Sequence, residues 1–211
     1  DTQLIVEHSG NAGISILSPA TTVGQIAFGS PTDNRQGGIH YNHCGNVMSL
    51  RVANANTLQI NASGVITKPL QPTVQATLSA TQSCKTGDGT AYTIPFNTEF
   101  SDLGGNFASN TFTAPVTGKY MISGGVTADC IVSGMTTIYM DMATSNGSYT
   151  IRGGDGAAVA DNADQHTTTA TVITEMEACD TATLGYSVYG GSKQVDIIGA
   201  RSTWLSIQLV A

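Results

Sequence analysis

Charged side chains make up only 11% of this 211-residue sequence, well under the roughly one quarter usual for soluble domains. Such a chain cannot cover itself with ions, so much of its surface is neutral and polar or is buried against another copy. Its 8 Lys and Arg stand against 15 Asp and Glu, a formal net charge of -7 with no basic stripe. Phosphate-backbone binding then has no electrostatic source, and nucleic acid is not expected as a partner. No apolar run approaches the roughly 20 residues of a membrane helix, and no cationic segment leads into an apolar core as in a signal peptide, so no membrane insertion is expected. The chain begins at Asp1 without a Met and is expected to be a fragment or a processed product.

Cysteine is sparse too. Cys44, Cys84, Cys130 and Cys179 lie far apart and form no Cys-x-x-Cys pair, which argues against a zinc site. They are expected to be free thiols acting as small buried hydrophobes rather than two disulfides. Aromatic residues amount to 6%, with a single Trp that falls in a strand-like run and is expected in the core. No Ser-His-Asp order with a nucleophile elbow occurs. The Gly153-Gly-Asp-Gly156 run follows Tyr149-Thr-Ile-Arg152 with no helical pattern after it, so it reads as a hairpin or loop tip and not as a phosphate cradle. No cofactor is expected, and no enzymatic activity.

What is present is glycine, 24 in all, with Thr, Ser, Ala and Asn between short apolar runs. This composition favours strands and turns over helices. From Asp1 to Thr67 a turn followed by a short strand recurs: Gly13-Ile-Ser-Ile-Leu17, Gly24-Gln-Ile-Ala-Phe28, Gly38-Ile-His-Tyr41, Gly45-Asn-Val-Met-Ser-Leu50 and Gly64-Val-Ile-Thr67. Spacing of about ten residues predicts a meander or coiled β-structure. So few large apolar side chains bury too little surface to offset chain entropy, so other chains must supply the missing contacts. Lys68-Pro-Leu-Gln-Pro72 opposes regular pairing and marks a boundary. The expected organisation is residues 1–68 as a β-rich shaft, 69–73 as a linker, and 74–211 as a second domain.

That second domain carries Phe96-Asn-Thr-Glu-Phe100, Asn106-Phe107 and Phe112-Thr-Ala-Pro-Val-Thr-Gly-Lys-Tyr120, where apolar residues alternate with polar ones and turn residues separate the runs. Phe112, Ala114 and Val116 share one parity, Pro115 excludes a central ladder position, and Gly118 releases the next strand. These residues resemble the globular-head family of complement component one-q and tumour necrosis factor. Val74-Gln-Ala-Thr-Leu78 looks like its first strand and Ser202-Thr-Trp-Leu-Ser-Ile-Gln-Leu-Val210 like its last, so the likeness covers about two thirds of the chain. The resemblance implies a ten-stranded jelly roll that assembles as a trimer and binds rather than catalyses. The upstream region is similar to the shaft repeats of bacteriophage tail fibres, through Gly24-Gln-Ile-Ala-Phe-Gly29, Asp33-Asn34-Arg35, Gly38-Ile-His-Tyr-Asn-His43, Met48-Ser-Leu-Arg-Val52 and Leu58-Gln-Ile-Asn-Ala-Ser-Gly-Val65. The expected fold class is all-β, an intertwined trimeric β-shaft followed by a jelly-roll sandwich.

Together these features predict a homotrimeric tail-fibre tip on a virion, assembled in the host cytoplasm, that attaches to a bacterial surface polysaccharide or outer-membrane protein. The alternatives are a decoration fibre whose head only holds three chains together, and a polysaccharide-degrading tailspike. The long polar run Gly153 to Thr168 is the expected recognition loop, with Asp155, Asp161, Asp164 and His166 in it and Tyr149 and Arg152 flanking it. Tyr186 and Tyr189 are further candidates for stacking on a sugar. Two carboxylates among Asp155, Asp161, Asp164, Glu175 and Glu177 would serve a glycosidase, but such an enzyme needs a long groove. Asp161 to Asp164 lacks the spaced acidic string of a calcium loop. His40 and His43, three apart, fall on opposite faces of a strand and cannot both address one metal.

Overall fold

The computed structural model describes residues 4–160 and 165–211, and these are built almost wholly of β-strands. The chain divides into two compact units, one ending at Leu70 and the other running Gln71–Ala211. The first holds β1 (Val23–Ser30), β2 (Asp33–Asn42), β3 (Val47–Val52), β4 (Ala55–Ile60) and β5 (Ile66–Thr67), paired antiparallel in chain order as one sheet. The repeat in the sequence therefore marks a meander, with two departures. Gly13-Ile-Ser-Ile-Leu17 forms no strand, because nothing pairs with it, and Ile14 and Leu17 stay exposed. Strand β4 exists because Ala53 and Asn54, both left-handed at φ 49° and 63°, form the two-residue turn that folds it back on β3.

Register sorts this sheet into two unlike faces. Ile26, Ile39, Leu50 and Leu58 stand opposite one another across β1 to β4, and Tyr41, Met48, Ile60 and Ile66 form the next rung across β2 to β5. Phe28 and Val52 flank Gly37 one rung further on. This face is apolar and open, with Phe28 62% and Ile66 60% exposed. The opposite face carries the rung Gln25, His40, Ser49 and Gln59, of which His40 and Ser49 are buried. No apolar side chain is buried among described residues 4–70. A sheet needs a second layer to bury its apolar face, and among its described residues this unit has none of its own.

The second unit is a sandwich of β6 (Thr73–Thr77), β7 (Gln82–Thr86), β8 (Tyr92–Thr93), β9 (Thr98–Leu103), β10 (Phe107–Ala108), β11 (Thr111–Thr113), β12 (Gly118–Asp129), β13 (Ile138–Thr144), β14 (Gly147–Gly154), β15 (His166–Met176), β16 (Thr181–Val188), β17 (Val195–Ile197) and β18 (Trp204–Leu209). One sheet runs β7-β17-β12-β18-β6-β9, with β15 also on β12. The other runs β10-β11-β16-β13-β14, with β8 on β16. First and last strands β6 and β18 pair, β12 pairs with β15, β11 with β16, and β13 with β14. Three of these pairs, β6–β18, β12–β15 and β11–β16, join partners far apart in the chain, and their split between two facing sheets defines a jelly roll.

Alternation aims one parity of each strand into the sandwich. Tyr120 and Ile122 from β12, Leu205 and Ile207 from β18, Met140 and Met142 from β13, and Leu184 and Tyr186 from β16 are all buried. Phe112 and Ala114 join them, but Val116 does not: β11 ends at Thr113, the chain bends at Pro115, and Val116 is 46% exposed. Its carbonyl instead accepts the Tyr120 hydroxyl at 2.8 Å. Trp204 is corrected as well, because it takes the outward parity of β18 and is half-buried while Leu205 and Ile207 point in. Gly156–Ala160 forms a short helix, α1, where the sequence predicted only a loop tip; the Asp155 carboxylate accepts the Ala157 N–H at 3.0 Å and caps its start. The cysteines are exposed rather than buried, and Cys44, Cys84 and Cys179 are free thiols.

Candidate functional site

Strand register brings the connections of the second unit to two ends. Ile138 faces both Val188 and Gly154, Ala128 faces both His166 and Ile197, and Trp204 faces Thr77. The connections after β6, β12, β14, β16 and β17 therefore gather at the end away from Gln71. The long polar run 153–168 belongs to this group.

Of the six residues singled out in the sequence, four are drawn toward that end or fall outside view. Asp155 is exposed and occupied as the cap of α1. His166 opens β15 and lies against Gly153, where a Cβ would come to 3.3 Å from its Nε2 and 2.3 Å from Thr168 Oγ1. That nitrogen is buried with no hydrogen-bond partner among the described residues. Asp161 and Asp164 lie outside the described residues.

Tyr149 and Arg152, read as a pair, fall on opposite faces of β14, because they are three residues apart in a strand of period two. Tyr149 shares the parity of Ile151, opposite core residue Met142, and its hydroxyl donates to Thr174 Oγ1 at 2.9 Å, tying β14 to β15 across the sandwich edge. Arg152 is exposed on the outward face opposite Tyr139. Tyr139 packs edge-on against Tyr189, ring centroids 5.9 Å apart at 82°. Next to this rung Thr150 donates to the Asp141 carboxylate, and Gly185 faces Asp141. Two tyrosines, a guanidinium and a carboxylate on one open face supply stacking surface, donors and acceptors together, which is the chemistry of a polar, ring-shaped ligand.

Tyr139 was legible only as the odd parity in Ile138-Tyr-Met-Asp-Met142, whose even positions are core. Tyr186, by contrast, is no stacking residue. It is buried, its hydroxyl lies 3.5 Å from Thr168 Oγ1, and burial pushes its pKa up to about 12. Glu175 is exposed on β15 and Glu177 lies beyond its end. His40 and His43 do separate by face: His40 sits in the polar rung and His43 stacks edge-on to Tyr41 on the apolar side. Among the described residues no cluster of three or more His, Cys, Asp or Glu is placed to hold a metal ion.

No family model matches this chain, and no curated protein does. Among solved structures it is similar to the globular domain of zebrafish complement 1qA protein, at 12% identity over 66% of this chain and 98% of that one, TM-score 0.44. It is also similar to murine APRIL crystallised at pH 8.0, at 10% identity over 66% and 99%, TM-score 0.46. The jelly-roll assignment rests on the strand pairing above, not on these scores.

Proposed function

We propose that the protein is a homotrimeric attachment fibre of a bacteriophage virion, its first unit a shaft completed by neighbouring copies and its second a head that binds a bacterial surface polysaccharide without covalent chemistry. The observation that carries this reading is the open apolar face of β1 to β5. Fully burying an exposed Ile, Leu, Met or Phe gains roughly 1.5–3 kcal/mol, of which about half is still to be gained by Ile26, Ile39, Met48 and Leu50, 40–46% exposed, and among the described residues the unit has no other layer to bury them. The same face holds a depression of about 270 Å³ lined by Ile16, Ile26, Ile39, Tyr41 and His43, suited to a side chain from another copy. Three copies serve a shaft and a head alike, since one symmetry then crosses the junction. Three heads also raise avidity for a repeating glycan. Surface attachment is supported by the Tyr139, Tyr189 and Arg152 face.

Light scattering on a sizing column tests the assembly, with about three times the single-chain 21.7 kDa expected and a folded monomer overturning it. Fluorescently labelled protein should then bind bacterial cells, less so after periodate oxidation of their surface sugars. A trimer that binds no cell would leave only a decoration fibre.

A further inference from the structure

A second surface at the loop end of the head is built around Arg201. We infer that Phe100, Arg201 and Trp204, with Gln75 and Thr77, form a subsite for a carboxylated sugar, an inference that rests on the glycan-attachment reading and narrows it to acidic glycans. The five residues line one pocket of about 420 Å³, a size that accommodates a sugar ring with its substituents.

Each wall is placed for a physical reason. The β6–β9 register skips from Gln75 opposite Ser101 to Ala76 opposite Glu99, so Phe100 is the extra residue of a bulge and is turned out, 47% exposed. Ala200 and Arg201 are consecutive left-handed residues, φ 55° and 71°, and this turn carries Arg201 over the Phe100 ring with Cζ 4.4 Å from its centroid. Stacking on the ring holds the guanidinium flat while leaving its donors free. Trp204 lies over Gly125, where a Cβ would come within 2.6 Å of the indole Nε1, so glycine makes the room the indole occupies.

Charge selects the ligand. The chain as a whole is at -7, yet the one charged side chain lining this pocket is a cation with no carboxylate partner among the described residues. A planar fork pairs bidentately with a carboxylate, and a single guanidinium balances the single charge of a sugar acid, whereas a phosphate monoester near neutral pH carries about -1.5 to -2. Trp204 offers the apolar face on which the ring's C–H groups rest, while the Phe100 face is taken up by the Arg201 guanidinium.

Trp204 is the sole tryptophan, so intrinsic fluorescence reads this pocket directly. The assembled protein would be titrated with trigalacturonic acid, with N-acetylneuraminic acid, and with the neutral methyl ester of trigalacturonic acid. A saturable change with at least one acid, at least tenfold weaker for Arg201→Gln, is expected; where trigalacturonic acid is the responder, its ester should be at least tenfold weaker too. Arg201→Lys, which keeps the charge and loses the fork, should fall between. No saturable change with either acid overturns the subsite, as does an ester that binds as tightly as its acid. Acrylamide that fails to quench Trp204 in the assembled protein also overturns it, since the pocket would then lie between copies. Cell binding by a wild type that ignores both acids would sink the subsite and leave attachment standing.

Discussion

The two units solve the same problem, a β-sheet with one apolar face, in opposite ways. In Gln71–Ala211 two sheets bury Phe112, Tyr120, Leu184 and Ile207 against one another, all 0–1% exposed. In the first unit Ile26, Ile39, Met48 and Leu50 occupy equivalent inward-type positions of their strands and remain 40–46% exposed. Alternation is as regular in one as in the other; what differs is whether the chain returns to supply a second layer. A periodic pattern thus states which face must be covered and leaves open what covers it.

Several substitutions would sharpen or break that contrast, and the largest effect belongs to the head. Phe112→Ala should cost about 3–5 kcal/mol, because the ring is fully buried and its cavity cannot collapse, whereas Phe28→Ala should leave head stability unchanged; denaturant titration followed by Trp204 fluorescence separates them. Leu50→Asp should instead open the first unit of the assembled protein, read as faster amide exchange in β1 to β4 with the head still folded. Unchanged exchange would show that the apolar face of β1 to β5 is not the contact. Gly125→Ala should cost about 1–3 kcal/mol through overpacking against the Trp204 indole, with a shift in its emission.

Two smaller effects depend on pH. The Asp180 carboxylate is held below its usual 3.8 by the Ser145 hydroxyl and then by the Glu177 N–H and the Asn146 amide, which bind the turn after β13 to the turn after β15. A depressed carboxylate stabilises above its unfolded pKa and loses that contribution as pH falls through the folded one, so the head should loosen in acid below about pH 4. Asp180→Asn should flatten that dependence in thermal melts. In the first unit, burial first, and then the Arg51 and Arg35 charges, hold His40 below its usual 6.5. The unfolded chain then binds the extra proton, so the unit should lose stability as pH drops below about 6.5, and His40→Gln should remove the effect. Amide exchange in β2 would read it.

Legibility followed the range of the interaction. The buried Phe112 and Ala114 and the four-strand part of the meander were readable from period two and turn residues, and the first head strand, expected over Val74–Leu78 from the family resemblance, forms over Thr73–Thr77. Trp204 was misread because a strand-like run does not say which parity faces in, and nothing in the sequence marks the bulge that turns Phe100 out. Tyr149 and Arg152 were paired by nearness in sequence, which a strand converts into opposite faces. Glu175 and Glu177 stand two apart, the spacing of one strand face, but Glu177 falls past the end of β15 at Met176.

By itself the sequence determined that this is a strand-and-turn protein with little charge, divided near its paired prolines, because alternation, glycine and proline act within a few residues. Only the tertiary structure decided that Phe100, Arg201 and Trp204 share a pocket, that Tyr139 stands beside Tyr189 and Arg152, and that the head closes on itself while the first sheet stays open. Those relations join residues up to 135 positions apart, as Thr73 and Gln208 are, and pairing register, which no local preference encodes, is what brings them together.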